Sequence, residues 1–482
     1  MKCRFLLWAV VGAAGIIGGG GMAHAELTAE QVKEAEALIV QLSQQDPAVR
    51  REAVIGLMEM GPEVLPLVTK ALAETEDAET KQWCELVIKA ITLEERRFEL
   101  KKQYEGKLEE LRKRGEPVTF KELAGPEVPE AENAAPVYEK AFQEYDRLSE
   151  EVRKRISELA VSRPLTPEEV VEAKDLVEQA GGVIDLLHKA ALRKQCRFAV
   201  DQEETPEAAL AFLSRVQAIA RLLRLSAKVN TDTAKPDDAM ADCAGIIKLG
   251  GAAEAKPRLI SMLVDLAMRG IARKGLTATL NGGEPSPEAL RQYLGALGNV
   301  DSRGRLQKAL RGERCLGLYL FQGMMQDPAA PGAPFTYSQG IVYLDAMEKC
   351  IEMAGKPWVQ CEAGWAKLGQ KIAKDTLVGS LVAALGRGAL TYDRSVAIDG
   401  VSQLAVALRL YRIKHGEYPE KLAALTPEVL AKLPTDPFSG KDYVYRREGK
   451  GFVVYSIGED GVDDGGEEGS GNTPDIVVKC SR

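Results

Sequence analysis

The stretch SVAIDGVSQLAVALRLYRIKHGEYP, residues 395–419, decides how the end of this chain folds. Ala397, Val401, Leu404, Leu408 and Tyr411 recur at helical spacing, so the run from Ser395 to His415 reads as a helix with one stripe facing a core. Gly416 stands where a left-handed C-terminal cap is wanted, and Tyr418-Pro419 stops the helix. Outward from there, beyond Leu433-Pro434-Thr435-Asp436-Pro437-Phe438, the runs Tyr443-Val444-Tyr445 and Phe452-Val453-Val454-Tyr455 flank Glu448-Gly449-Lys450-Gly451 and predict a β-hairpin. An acidic glycine loop follows, Glu459 to Glu468, with six carboxylates in ten residues. Because the stripe faces its own hairpin, residues 391–482 read as a unit able to fold alone.

This package resembles the soluble head of the major pseudopilin of type II secretion systems. The resemblance is carried by Leu410-Tyr411-Arg412, Gly416, Tyr418-Pro419, Leu433-Pro434, Asp436-Pro437-Phe438, Tyr443-Val444-Tyr445, and Tyr455-Ser456-Ile457-Gly458-Glu459-Asp460-Gly461 ending at Asp475-Ile476. Two features depart from it. The family extends this helix into an apolar membrane stem, whereas this one carries Asp393, Arg394, Asp399 and Arg409. The family also has an aspartate two positions before the final Asp-Ile, where this chain has Thr473.

The resemblance implies a structural calcium ion held by the side chains of Asp460 and Asp475, with Asp463 or Asp464, and by the carbonyls of Ile457 and Val462. The chemistry agrees: a hard cation takes six to eight oxygens, and glycines let carbonyls turn toward it. Adjacent carboxylates repel by about one to a few kcal/mol per pair at surface-like dielectric, which a divalent ion reverses. An EF-hand is excluded, since counting from Asp460 puts Val462 third and Gly471 twelfth, where a carboxylate is required. The competing reading is a solvated acidic loop that binds nothing.

At the other end, Lys2 and Arg4 precede an uncharged apolar run from Phe5 to Ile17, and Ala23-His24-Ala25 is a small-x-small cleavage signal. Residues 1–25 thus read as a secretory signal peptide cut after Ala25, placing the protein in the periplasm or outside the cell. The rival is an uncleaved anchor. Nothing later reads as a membrane span, because the most apolar stretch, Leu377 to Leu390, is short and broken by Arg387. The formal charge of −8 becomes more negative once Lys2 and Arg4 leave, so nucleic acid is not an expected partner. With 45% hydrophobic but 6% aromatic residues, the bulk predicts aliphatic helix packing.

The expected fold class is mainly α, ending in a small α+β domain. Residues 26–92 resemble HEAT-type helical repeats through Asp46-Pro47-Ala48-Val49-Arg50-Arg51-Glu52-Ala53, Leu57 and Gly61-Pro62, where Asp caps and Pro opens a helix. Residues 93–127 form a charge-dense helix and linker, 128–390 an α-helical domain entered at Asn133-Ala134-Ala135-Pro136, and 391–482 the pseudopilin-like domain.

Catalytic chemistry is not expected. Past the leader only His188 and His415 remain, in separate regions, and both read as structural. The chain has no Gly-x-Ser-x-Gly elbow, phosphate loop, His-Glu-x-x-His or Cys-x-x-Cys. Cys350 and Cys361 flank Gly355-Lys356-Pro357, either bonded across that break or as two buried thiols. The sequence therefore favours a non-catalytic cell-envelope binding or scaffold protein. One alternative is an accessory component of a type II secretion or pilus-like machine, partnered by pseudopilins; the weaker one is a secreted hydrolase with an Asp/Glu pair in the helical domain.

Overall fold

The computed structural model describes residues 26–124, 126–160, 163–198, 206–254, 257–298, 303–326, 337–372, 377–467 and 475–481. The expected leader, and Glu468, Gly471 and Thr473 of the acidic loop, lie outside them. Among the described residues helices dominate, and one three-stranded sheet lies at the C-terminal end. Among the described residues no helix is long and apolar enough to cross a membrane.

The described chain divides into two compact units, one of residues up to 110 with 337–341, the other of residues from 111 onward without that segment. The first is built on α1 (Ala29–Gln41), α2 (Pro47–Glu59), α3 (Leu65–Glu74) and most of α4 (Ala78–Lys113). Asp46 caps α2 through the Ala48 N–H (2.8 Å) with Pro47 in the first turn, as its sequence predicts. Ala35, Leu42, Val54, Leu57, Val68 and Val87 form its core. The last helix of the repeat-like region and the charge-dense segment from 93, read as separate pieces, are one continuous helix, α4, because no Gly or Pro interrupts Ala78 to Tyr104.

In the second unit the helices are α5 (Phe120–Leu123), α6 (Ala135–Arg147), α7 (Glu150–Leu159), α8 (Pro167–Gln179), α9 (Gly181–Ala191), α10 (Pro206–Asp232), α11 (Pro236–Ala253), α12 (Leu259–Gly282), α13 (Pro287–Leu297), α14 (Arg303–Gln326), α15 (Tyr337–Met353, of which 337–341 belongs to the first unit), α16 (Trp358–Lys371) and α17 (Leu377–His415). α11 is buried nearly all round, through Met240, Cys243, Ile246, Ile247 and Leu249, and so takes the centre with α10, α12 and α13 against it. Asn133 locks the domain entry: its Oδ1 accepts from the Ala135 and Arg197 N–H groups (3.1 and 2.8 Å) and its Nδ2 donates to the Arg197 carbonyl (3.0 Å). Cys350 and Cys361 are buried free thiols.

Two expectations change at the C-terminus. The helix expected from Ser395 begins at Leu377 and runs 39 residues, about 58 Å at 1.5 Å per residue. Nor does its stripe close on its own hairpin alone. α17 packs on α12 and α13 as well as on the sheet, and one core runs unbroken from Ala134 through Leu223, Ile246 and Leu404 to Cys480. Residue 391 is therefore not a break in packing.

The sheet has strand order β1 (Val444–Glu448), β2 (Gly451–Ser456), β3 (Ile476–Cys480), all antiparallel. Glu448 pairs with Gly451 across Gly449-Lys450, and positive φ at Gly449 (58°) makes so tight a loop possible. β3, not expected from the sequence as a strand, pairs Ile476 with Ser456 and Cys480 with Phe452. Its other anchors come from α12: the Asn281 amide donates to the Lys479 carbonyl (2.9 Å), and Arg273 to that of Val477.

Candidate functional site

The pseudopilin-like motifs prove to be joints. Gly416 takes φ +83°, which a left-handed cap requires and a side chain would resist. Tyr418 is thereby turned into the core, edge-on to Phe452 (4.9 Å, 71°), while its hydroxyl accepts from the Arg409 guanidinium (3.1 Å). The Tyr445 hydroxyl donates to the Pro419 carbonyl (2.6 Å), fixing the turn against β1. Asp436, buried, accepts from the Phe438 N–H (3.2 Å) and the Ser456 hydroxyl (2.7 Å). Gly400 leaves room for the Tyr443 hydroxyl, which a Cβ there would overlap.

Beyond β2 the acidic loop folds back on the outer face of the sheet, where Val453, Tyr455 and Val477 form a small cluster of their own. The Tyr455 hydroxyl donates to Asp463 Oδ1 (2.9 Å), and burial pushes that phenol up to about 12. Gly458, Gly461, Gly465 and Gly466 all take positive φ, the backbone freedom expected of a loop that turns its carbonyls.

The six expected ligands divide. Asp475, 3% exposed at the start of β3, faces the loop: its Oδ2 accepts from the Gly466 N–H (2.8 Å), while Oδ1 is buried with no hydrogen-bond partner among the described residues. Burial, with Asp463 and Asp464 close by, raises its carboxyl above the ordinary aspartate range although backbone N–H groups oppose this. Ile457 follows β2 directly and is half-buried. Asp460 and Val462 are exposed, and the Asp460 Oδ1 accepts from the Val462 N–H (3.1 Å). Among the described residues no three His, Cys, Asp or Glu side chains are gathered as a bound metal would need. What the loop offers a hard cation is one Asp475 oxygen without a hydrogen-bond partner among the described residues, while Asp460 Oδ1 is engaged by its own turn.

The histidines have partners of their own. His188 on α9 meets Asp242 of α11 (3.0 Å), which also accepts from the Asn230 amide of α10 (2.9 Å), and this hydrogen bond raises the imidazole's affinity for a proton. His415 meets Glu428 (2.8 Å).

A buried ionic chain escaped the sequence reading. Arg269 of α12 bonds Asp265 one turn back (2.6 Å) and Asp399 of α17 (2.5 Å); Arg305 of α14 bonds Asp265 and, with both ends of its fork, Glu254 (2.7 and 2.9 Å). Burial pushes Asp399 up to about 6 against the pull of Arg269. Farther up α17, Asp393 accepts from Arg303 and from the Trp358 N–H that opens α16. The signal was present as Asp265 and Arg269 at helical i,i+4 spacing and Asp399 inside an apolar stripe, but their partners lie far apart in sequence.

No curated protein and no solved structure matches the chain. Residues 391–478, less than a fifth of the chain, match the family model described as type II secretion system (T2SS), protein G, so that the segment from the middle of α17 to β3 is similar to that protein.

Proposed function

We propose that this chain is a non-catalytic binding or scaffold protein of the cell envelope, exported by a leader cut after Ala25. In this reading a helical platform, opening with HEAT-like hairpins, presents a pseudopilin-like head to components of a type II secretion or pilus-like machine without entering a filament. One observation carries it: the matched segment begins inside α17, and at that point the helix is tied into the helical layer through Asp393 to Arg303 and Asp399 to Arg269. A membrane stem would be apolar there. This helix spends the same residues on buried ion pairs, so its head is fixed to a platform. The Asp475 oxygen without a partner among the described residues supports calcium as a structural ion of the head.

Co-sedimentation of the purified chain with the major pseudopilin of the same cell, under conditions where that protein polymerises, tests the reading. Saturable binding well below one copy per filament subunit is expected. Absence of binding contradicts the docking role, and incorporation at equal stoichiometry contradicts the fixed head.

A further inference from the structure

A cavity of about 350 Å³ lies among α6, α9, α11 and α14, distant in sequence from the pseudopilin-like segment. Its size is that of a small-molecule site. Small residues make the room: Ala134, Ala190, Gly251, Ala252, Ala296 and Ala309 all line it. The charged lining is one-sided, with Arg193, Lys194, Lys248, Arg258, Arg269, Arg305 and Lys308 against a single carboxylate, Glu254, in a chain whose formal charge is −8.

The two groups of cations differ. Arg269 and Arg305 are already committed to Asp265, Asp399 and Glu254, two cations shared among three carboxylates, so they offer no free charge to a ligand. Lys194, Lys248 and Lys308 have no hydrogen bond or ion pair among the described residues, although they come from three separate elements and reach one cavity. Ammonium groups that line one cavity repel one another, and a multiply charged anion between them offsets that repulsion. Ammonium groups act on oxyanions as compact point charges, which suits a phosphate oxygen and asks for no planar fork.

The rim is also fixed before any ligand arrives. The 193–196 segment is tied to the domain entry by the Ala134 N–H on the Gln195 carbonyl (2.8 Å), the Gln195 N–H on the Glu132 carbonyl (3.2 Å), and the Arg193 guanidinium on the Ala131 carbonyl. A rim so held loses little freedom on binding. We propose that this cavity binds a multiply charged phosphate group, either free in solution or as the headgroup of an anionic lipid, with Lys194, Lys248 and Lys308 as its principal contacts.

Titration calorimetry of the full chain with pyrophosphate at constant ionic strength, beside sedimentation with vesicles of phosphatidylcholine alone or with phosphatidic acid, tests this. Saturable one-to-one binding of pyrophosphate assigns a free phosphate; binding confined to phosphatidic acid vesicles assigns a headgroup. In either case the double variant Lys248→Gln, Lys308→Gln is expected to weaken binding at least about tenfold without lowering the melting temperature, since neither side chain bonds to another of the described residues. Saturation by neither probe, or affinity in the double variant within about threefold of the original, overturns the proposal.

Discussion

At the scale of single residues, the arginine at position 269 holds two carboxylates that nothing else neutralises fully. Asp265 and Asp399 each keep one buried oxygen without a hydrogen-bond partner among the described residues. Removing the cation strands Asp399 and leaves Asp265 to share Arg305 with Glu254, whereas changing Asp399 to its amide removes a charge that burial already disfavours. Arg269→Ala is expected to lower stability by about 3–5 kcal/mol and Asp399→Asn by about 1 kcal/mol, read from urea unfolding at neutral pH. Equal losses, or the reverse order, would contradict this account of the chain of charges. Such residues were visible in the sequence as charges in apolar company, but ion pairing between α12, α14 and α17 depends on a tertiary arrangement that periodicity does not encode. Gly416 and Tyr418 were legible for the opposite reason, since a left-handed cap and a helix-stopping proline act within a few residues.

Among elements, the hairpin and the acidic loop show how far local chemistry reaches. Alternating Tyr-Val-Tyr and Phe-Val-Val-Tyr runs around Gly449 specify β1 and β2, whereas β3 is too short an apolar run to announce itself and owes its place to β2 and to Arg273 and Asn281 of α12. α17 was read too short because Gly379, Gly386 and Gly388 weaken the helical signal ahead of Ser395. Of the loop's expected ligands, Asp463 and Asp464 lie near enough to act on the Asp475 carboxyl, no three are gathered as a bound metal would need among the described residues, and Asp460 Oδ1 accepts from its own turn. A ligand that binds only the folded chain stabilises by RT ln(1 + [L]/Kd), about 2.7 kcal/mol at a hundred times Kd. Calcium is therefore expected to raise the melting temperature, with magnesium doing much less because it keeps its waters in a stricter octahedron. Asp475→Asn should remove most of that rise. Equal melting in calcium and chelator, or equal effects of the two cations, would leave the loop a solvated acidic surface.

For the whole molecule, the central claim is that the pseudopilin-like segment is part of its platform. Its helix, its hairpin and the helices α11 and α12 share one core, with Leu404, Leu408 and Phe452 in the same cluster as Ile246 and Met268. Arg409 extends this by donating to the carbonyls of Leu280 and Gly283 at the end of α12 (2.9 and 3.0 Å). A segment built this way opens with its neighbours. Native-state hydrogen exchange on the full chain measures that directly. The amides of β2, of α17 between 396 and 408, and of α11 are expected to exchange with opening free energies within about 1 kcal/mol of one another and to fall together on adding denaturant. Exchange of β2 and residues 396–408 through a separate opening, with α11 still protected, would contradict the claim and restore the head as a unit of its own.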